Sequence, residues 1–301
     1  GAQWAQRPDG EGLIRQLLVL LVLINLAWGA AVAIGVLPNL ASFDPSRLSG
    51  VTNGPYELSA MLGLAVVMLT KRQGPLWVSL LAVVGLLATQ SRIALAALLL
   101  YLMLRAFTGR LSRKRLASIG VAVVVVFGVV MARSDLQQIK DTAESFSVLT
   151  EYFNQTVSTR EEYFDLAYST EANSAIGQVD GDASTMLRIA RWTIVVTTAF
   201  SDWAQALFGM GPGYYSVALD GNFVRLLGEV GLIGLAAQLV LLALTARLPR
   251  RANAATVRML LLQLLVIAAL IDVLVSLKVM CLYWMLLGYL RLAHPAGGED
   301  V

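Results

Sequence analysis

Eight apolar runs dominate this chain, at 13–37, 55–70, 75–89, 91–107, 116–132, 222–246, 256–277 and 279–292. A helix needs roughly 20 apolar residues to cross the hydrocarbon core, somewhat fewer where flanking residues snorkel. Repeated runs of that length predict an all-α fold, a polytopic integral membrane helix bundle of about eight transmembrane helices. Composition agrees: 57% of residues are hydrophobic and 14% charged, against about 45–50% and about 25% in soluble domains. A soluble dehydrogenase, nuclease or kinase is excluded on that ground. Within 75–107, the polar break Thr89-Gln90-Ser91-Arg92, with Pro75 opening the first half, predicts a tight hairpin of two helices. The run 13–37 reads as a span despite the small residues Ala31 and Ala33. It exceeds the about 7–15 apolar residues of a signal core, and seven further runs follow it.

Orientation follows from Lys and Arg, which collect in short cytoplasmic loops. With the first residues on the cytoplasmic side, fourteen of the 23 basic residues fall there, including the cluster Arg110, Arg113, Lys114 and Arg115 and the cluster Arg247, Arg250, Arg251 and Arg258. Both ends then lie inside. This divides the chain into five spans over 1–132, a long outer loop over 133–221, three spans over 222–292 and a cytoplasmic tail over 293–301. The outer loop carries twelve acidic residues against five basic ones, a pattern that usually means only solvation. In it, Ser158-Thr159-Arg160-Glu161 fits a capping box that starts a helix through Tyr168. Residues 186–207 are apolar at helical spacing yet carry Arg188, Arg191, Trp192, Asp202 and Trp203, which suits a helix lying in the membrane interface. Were it a span, the basic cluster at 247–258 would land outside.

The net charge of +3 is too small to argue for nucleic acid. The single cysteine, Cys281, lies in an apolar run and reads as a buried, inert thiol. His294 is the only histidine and sits in the tail, and no Asp-rich motif is present, so neither a metal nor a cofactor is implied.

The ionisable residues Arg47, Glu57, Arg92, Arg188, Arg191, Asp220, Arg225, Glu229, Asp272 and Lys278 fall at the outer ends of spans or in outer loops. Charges at membrane depth are expensive, so their gathering on one side is a functional-site hypothesis. Ordinary roles stand beside it. Arg225 and Glu229 are four residues apart and suit a helical ion pair, while Arg47 and Lys278 suit snorkelling to headgroups. Arginine binds phosphate oxygens bidentately and keeps its charge when desolvated, which suits an outward cavity for a lipid-linked pyrophosphate. Gly209-Met210-Gly211-Pro212-Gly213 has no strand before it and a proline inside it, so it reads as a tight turn permitting close backbone approach rather than a nucleotide loop. Trp203, Tyr214 and Tyr215 suit sugar stacking or, for Trp203 above all, the interfacial aromatic belt.

Four patches resemble the O-antigen polymerase/O-antigen ligase superfamily of bacterial envelope glycosyltransferases. They are Arg47 to Ala60, with Arg47-Leu48-Ser49-Gly50 ahead of a helix start; Ser91-Arg92 opening a span; Arg188-x-x-x-Trp192 leading to Phe208 to Gly213; and Asp220 to Gly234 after the long outer loop. Their order covers residues 47–246. The resemblance implies an enzyme of the bacterial inner membrane, working on its periplasmic face without a metal. It would transfer glycan from an undecaprenyl-diphosphate carrier to a second lipid-linked repeat unit or to lipid A-core. Ligases of this family have a histidine near the place that Asp220 holds here, so the expectation is a polymerase of O-antigen, capsule or exopolysaccharide. A chain-length-determining co-polymerase is the partner such an enzyme would have. The family also has more spans, expected ahead of 13–37. On this reading Arg47, Arg92 and Arg188 hold the diphosphate, with Arg191 and Arg225 in reserve, and Asp220 or Glu57 accepts the acceptor hydroxyl's proton. Asp220 is equally suited to N-capping the helix from Asn222, and Glu57 to a first-turn acid. A transporter for the same lipid-linked glycans and an envelope scaffold are the competing classes. The first needs polar residues along the whole path together with inverted repeats or broken helices, whereas the inner halves of most runs, such as 93–104 and 232–244, are nearly uncharged and no internal repeat is evident; the second has no use for several outer arginines.

Overall fold

The computed structural model describes residues 10–38, 47–52, 54–71, 75–107, 153–168, 183–215, 219–247 and 251–292. The span expected at 116–132, the basic cluster 110–115 and His294 lie outside them. Among the described residues ten helices follow one another: α1 (Gly10–Ala33), α2 (Pro55–Lys71), α3 (Leu76–Ala88), α4 (Arg92–Phe107), α5 (Arg160–Tyr168), α6 (Ala183–Ala199), α7 (Trp203–Phe208), α8 (Asn222–Thr245), α9 (Arg251–Ala268) and α10 (Leu277–Leu292). No strand occurs among the described residues, so the fold is all-helical. Two helices, α1 and α8, are long and apolar enough to cross a membrane; α2, α3 and α9 are shorter apolar helices. The expected run 256–277 differs in its bounds. Its helix begins at Arg251 and stops at Ala268, leaving Asp272 in the turn before α10.

The chain forms two compact units. The first comprises residues 1–127, 242–268 and 273–301. Its centre is α2, which packs against α1, α3, α4, α9 and α10. That position follows from sequence, because Leu58, Leu62, Leu64, Ala65, Val66, Val67, Met68 and Leu69 are buried around its whole circumference, as an all-round apolar helix must be. Gly63 on α2 makes room for the buried amide of Gln263 on α9; a Cβ there would stand 2.3 Å from its Nε2. On α1, Ile14, Leu18, Val22, Asn25 and Gly29 are buried at helical spacing, while Leu20, Leu23 and Ile24 remain exposed. Cys281, expected to be buried, is exposed on α10.

The second unit comprises residues 128–241 and 269–272. Its core gathers Phe153, Val157, Tyr163, Met186, Ala190, Ile194, Val195, Tyr215 and Leu219. The capping box is present one residue later than expected. Glu162 Oε2 accepts from Ser158 N–H at 2.6 Å and Thr159 N–H at 3.2 Å, and Thr159 Oγ1 accepts from Glu162 N–H at 3.2 Å. The stretch 186–207 is two helices, because Asp202 caps α7 with its carboxylate on the Ala204 and Gln205 N–H groups. The unit also takes in 222–241, which the sequence assigned to the last spans. The reason is backbone pairing: Gly231 interrupts α8 at φ +67°, and the Gly228 and Glu229 carbonyls accept from Met210 and Gly211 N–H at 2.8 and 3.0 Å.

Candidate functional site

In the first unit, the segment 47–52 is fastened at several points. Leu48 N–H donates to the Ala88 carbonyl at 2.9 Å, and Asn25 Oδ1 on α1 accepts from Val51 N–H at 3.1 Å. Gly50 takes φ +58° directly against Asn25, where a Cβ would lie 2.3 Å from Oδ1. Arg47 is thereby fixed rather than snorkelling. Its Nε donates to the Thr89 carbonyl at 3.0 Å, its Nη1 to Tyr56 Oη at 3.2 Å, and its guanidinium lies 4.6 Å from the Tyr56 ring centroid. Arg92 is exposed on the first turn of α4. Glu57, in the first turn of α2, accepts from Ser276 Oγ at 2.6 Å and faces Lys278 Nζ at 3.6 Å. These contacts tie α2 to the start of α10 and give Glu57 a structural task.

In the second unit, Arg188 on α6 donates from Nε to Asp220 Oδ2 at 2.9 Å. Trp192, one turn further along α6, donates its indole N–H to the Asp220 carbonyl. The next residue, Gly221, has φ +98°, and a Cβ there would stand 2.8 Å from the Trp192 ring. Arg188, Trp192, Asp220 and Gly221 thus form one fitted constellation, drawn from two of the patches that carry the family resemblance. Asp220 does not cap α8; its carboxylate is taken by Arg188. Its side chain is 39% exposed, and its Oδ1 makes no hydrogen bond among the described residues.

Arg225, on the first turn of α8, is held on both sides. Its Nε donates to Glu229 at 3.2 Å, as the four-residue spacing predicts, and its Nη1 to Asp272 Oδ2 at 2.8 Å. Asp272 Oδ1 is buried without a partner. Burial pushes the Asp272 carboxyl up to about 6, with Arg225 pulling the other way. The sequence placed Asp272 on the outer side but assigned it no role; the available signal was its standing as the single acid in the apolar run 256–277.

Arg191 lies with its guanidinium 4.3 Å from the Tyr168 ring centroid. The three aromatics proposed for sugar stacking separate. Tyr215 is fully buried, with Tyr163 and Tyr214 edge-on to it at 5.0 and 4.9 Å, so it has no face to offer a sugar. Burial also pushes the Tyr163 and Tyr215 phenols up, away from any proton exchange near neutral pH. Tyr214 is half-buried, and Trp203 is 72% exposed at the start of α7. The glycine turn behaves as expected: Gly209 ends α7 at φ +74° and approaches the Glu229 backbone so closely that a Cβ would meet it at 2.4 Å. No family model, curated protein or solved structure matches the chain.

Proposed function

We propose that the chain is a multi-pass enzyme of the bacterial inner membrane that polymerises undecaprenyl-diphosphate-linked oligosaccharide repeat units at the periplasmic face. The observation that carries this reading is the Arg188–Asp220 pair, seated on Trp192 and Gly221. It sets a half-exposed carboxylate, one of whose oxygens makes no hydrogen bond among the described residues, beside an arginine suited to a phosphoryl group. The membrane setting is supported by the exposed apolar side chains of α1 and α8, among them Leu20, Ile24, Ile233 and Val240. Exposed Phe200, Trp203 and Phe208 at and beside α7 suit the interfacial belt.

In the reaction, the acceptor sugar hydroxyl attacks the donor's anomeric carbon. The bond from that carbon to the diphosphate oxygen breaks with its electron pair going to the lipid diphosphate. Asp220 Oδ1 takes the hydroxyl proton, and Arg188 offsets the charge on the leaving group. Arg191 and Arg225, in the same compact unit, are reserves for holding the diphosphate. Direct displacement inverts the anomeric configuration. In cells deleted for this gene and complemented with variants, Asp220→Asn and Arg188→Ala abolish long-chain polysaccharide at normal protein level. Unchanged long chains from either variant overturn its assignment. Transfer to lipid A-core instead of a repeat unit marks a ligase. A lipid-linked glycan transporter is favoured by one observation, the break of α8 at Gly231; it predicts movement of substrate across vesicles with no new glycosidic bond.

A further inference from the structure

Within the first unit, α1, α2 and α10 leave a groove at the end of α2 and α10 remote from the Glu57–Ser276 contact. Ile14 and Leu18 on α1, Met68 in the last turn of α2 and Tyr289 in the last turn of α10 form its walls, and Glu11 and Arg15 on α1 line it beside them. The groove is open on one side and encloses about 260 Å³. Its four wall residues are only 1–7% exposed, so it is a narrow apolar slot. Because α2 is 17 residues, about 25 Å, long, the slot and the Glu57–Ser276 contact fall at opposite faces of a bilayer.

Glu11 and Arg15 are the two ionisable side chains in the 24 residues of α1, and both line this slot. Their four-residue spacing suits a helical ion pair, yet Arg15 is exposed and makes no hydrogen bond or ion pair among the described residues. An anion and a cation that do not neutralise each other, at the shallow end of an apolar slot, complement an amphiphile whose headgroup carries both charges. An anionic phospholipid would satisfy Arg15 but be repelled by Glu11, and a quaternary ammonium offers Glu11 no N–H to accept. A primary ammonium does, while guanidinium suits the phosphate. We propose that the slot binds phosphatidylethanolamine, with one acyl chain along Ile14, Leu18, Met68 and Tyr289, the phosphate on Arg15 and the ammonium donating to Glu11. This rests on the membrane setting proposed above and not on glycosyl transfer.

The test titrates phosphatidylethanolamine, phosphatidylglycerol and phosphatidylcholine with identical acyl chains into the full chain in neutral detergent, with bound lipid counted by native mass spectrometry. The wild type binds phosphatidylethanolamine about tenfold more tightly than the other two. Glu11→Gln lowers phosphatidylethanolamine to the level of phosphatidylcholine, and Arg15→Gln weakens both phosphatidylethanolamine and phosphatidylglycerol. Glu11→Lys reverses the preference, so that phosphatidylglycerol binds more tightly than phosphatidylethanolamine; a purely structural role for Glu11 would not do this. Without added lipid, the melting temperatures of the three variants stay within about 2 °C of the wild type, which separates lost binding from lost folding. Equal binding of the three lipids by the wild type overturns the site, as does Glu11→Lys with the wild-type preference. Soluble glycerophosphoethanolamine binding as tightly as the lipid overturns the role of the apolar walls. A chain that stays in carbonate-washed membranes but shows no lipid preference loses the site alone, whereas a chain that carbonate releases contradicts the membrane setting and the site with it.

Discussion

Arg188 and Arg225 are both paired, and the two pairs differ in what they leave over. Arg188 is paired with the Asp220 carboxylate, while Arg225 faces both Glu229 and Asp272, giving the Arg225–Glu229–Asp272 group a surplus negative charge when all are ionised. Truncating Arg188 removes the partner that orients Asp220; repeat-unit extension by Arg188→Ala falls about a hundredfold, and Arg188→Lys restores only part of it, because an ammonium lacks the planar fork. Asp272 makes a prediction in pH. Its carboxyl, raised to about 6 mainly by burial, titrates near 3.9 when unfolded. The folded chain therefore takes up the proton first, and the ionised group lowers stability progressively as pH rises from about 4 to about 6. Thermal unfolding in detergent across that window falls with rising pH in the wild type, and Asp272→Asn loses that share of the slope. An identical slope in the variant contradicts the assignment.

At the scale of elements, α8 and the turn 209–213 depend on each other. Gly231 gives up helical geometry, and the Gly228 and Glu229 carbonyls accept from the Met210 and Gly211 N–H groups. A methyl group at Gly209 meets the Glu229 backbone, and one at Gly231 meets the Leu207 backbone at 2.3 Å; neither neighbour can rotate away as a side chain would. Both positions also have positive φ, so Gly209→Ala and Gly231→Ala each destabilise by more than about 1 kcal/mol, measured as lowered melting temperature, whereas Gly211→Ala, with open space around it, is limited to the cost of its φ. Thr159→Ala removes one side of the capping box and costs α5 about 1 kcal/mol. Helices were legible in the sequence because apolar periodicity and punctuation such as Pro75 and the Ser91-Arg92 start act locally. Glu162 was misplaced by one residue because Glu161 and Glu162 are adjacent and only the backbone geometry selects between them. The break at Gly231 was not legible, since its cause is a neighbouring turn twenty residues earlier.

For the whole molecule, the division into compact units departs from the division by hydropathy. Residues 222–241 join the unit that holds the segment 153–215, because Arg225 reaches Asp272 and the glycine turn lies on α8, contacts between segments that no local pattern records. The candidate site was legible in its arginines and in Asp220, whose apolar surroundings make a charge conspicuous. It was illegible in its pairings: that Asp220 meets Arg188 and not the α8 N-terminus, that Glu57 is occupied by Ser276 and Lys278, and that Tyr215 is core, all follow from tertiary packing. The central claim is that this chain joins lipid-linked repeat units and that Asp220 takes the proton. The most direct measurement reconstitutes the purified chain in liposomes with a prenyl-diphosphate-linked repeat unit and resolves the products by size. The wild type yields a ladder of lengthening glycans, and Asp220→Asn is slowed about a hundredfold or more at unchanged folding. A wild type that yields no glycan longer than the starting unit contradicts polymerase activity, and an Asp220→Asn ladder equal to the wild type's contradicts the role of Asp220.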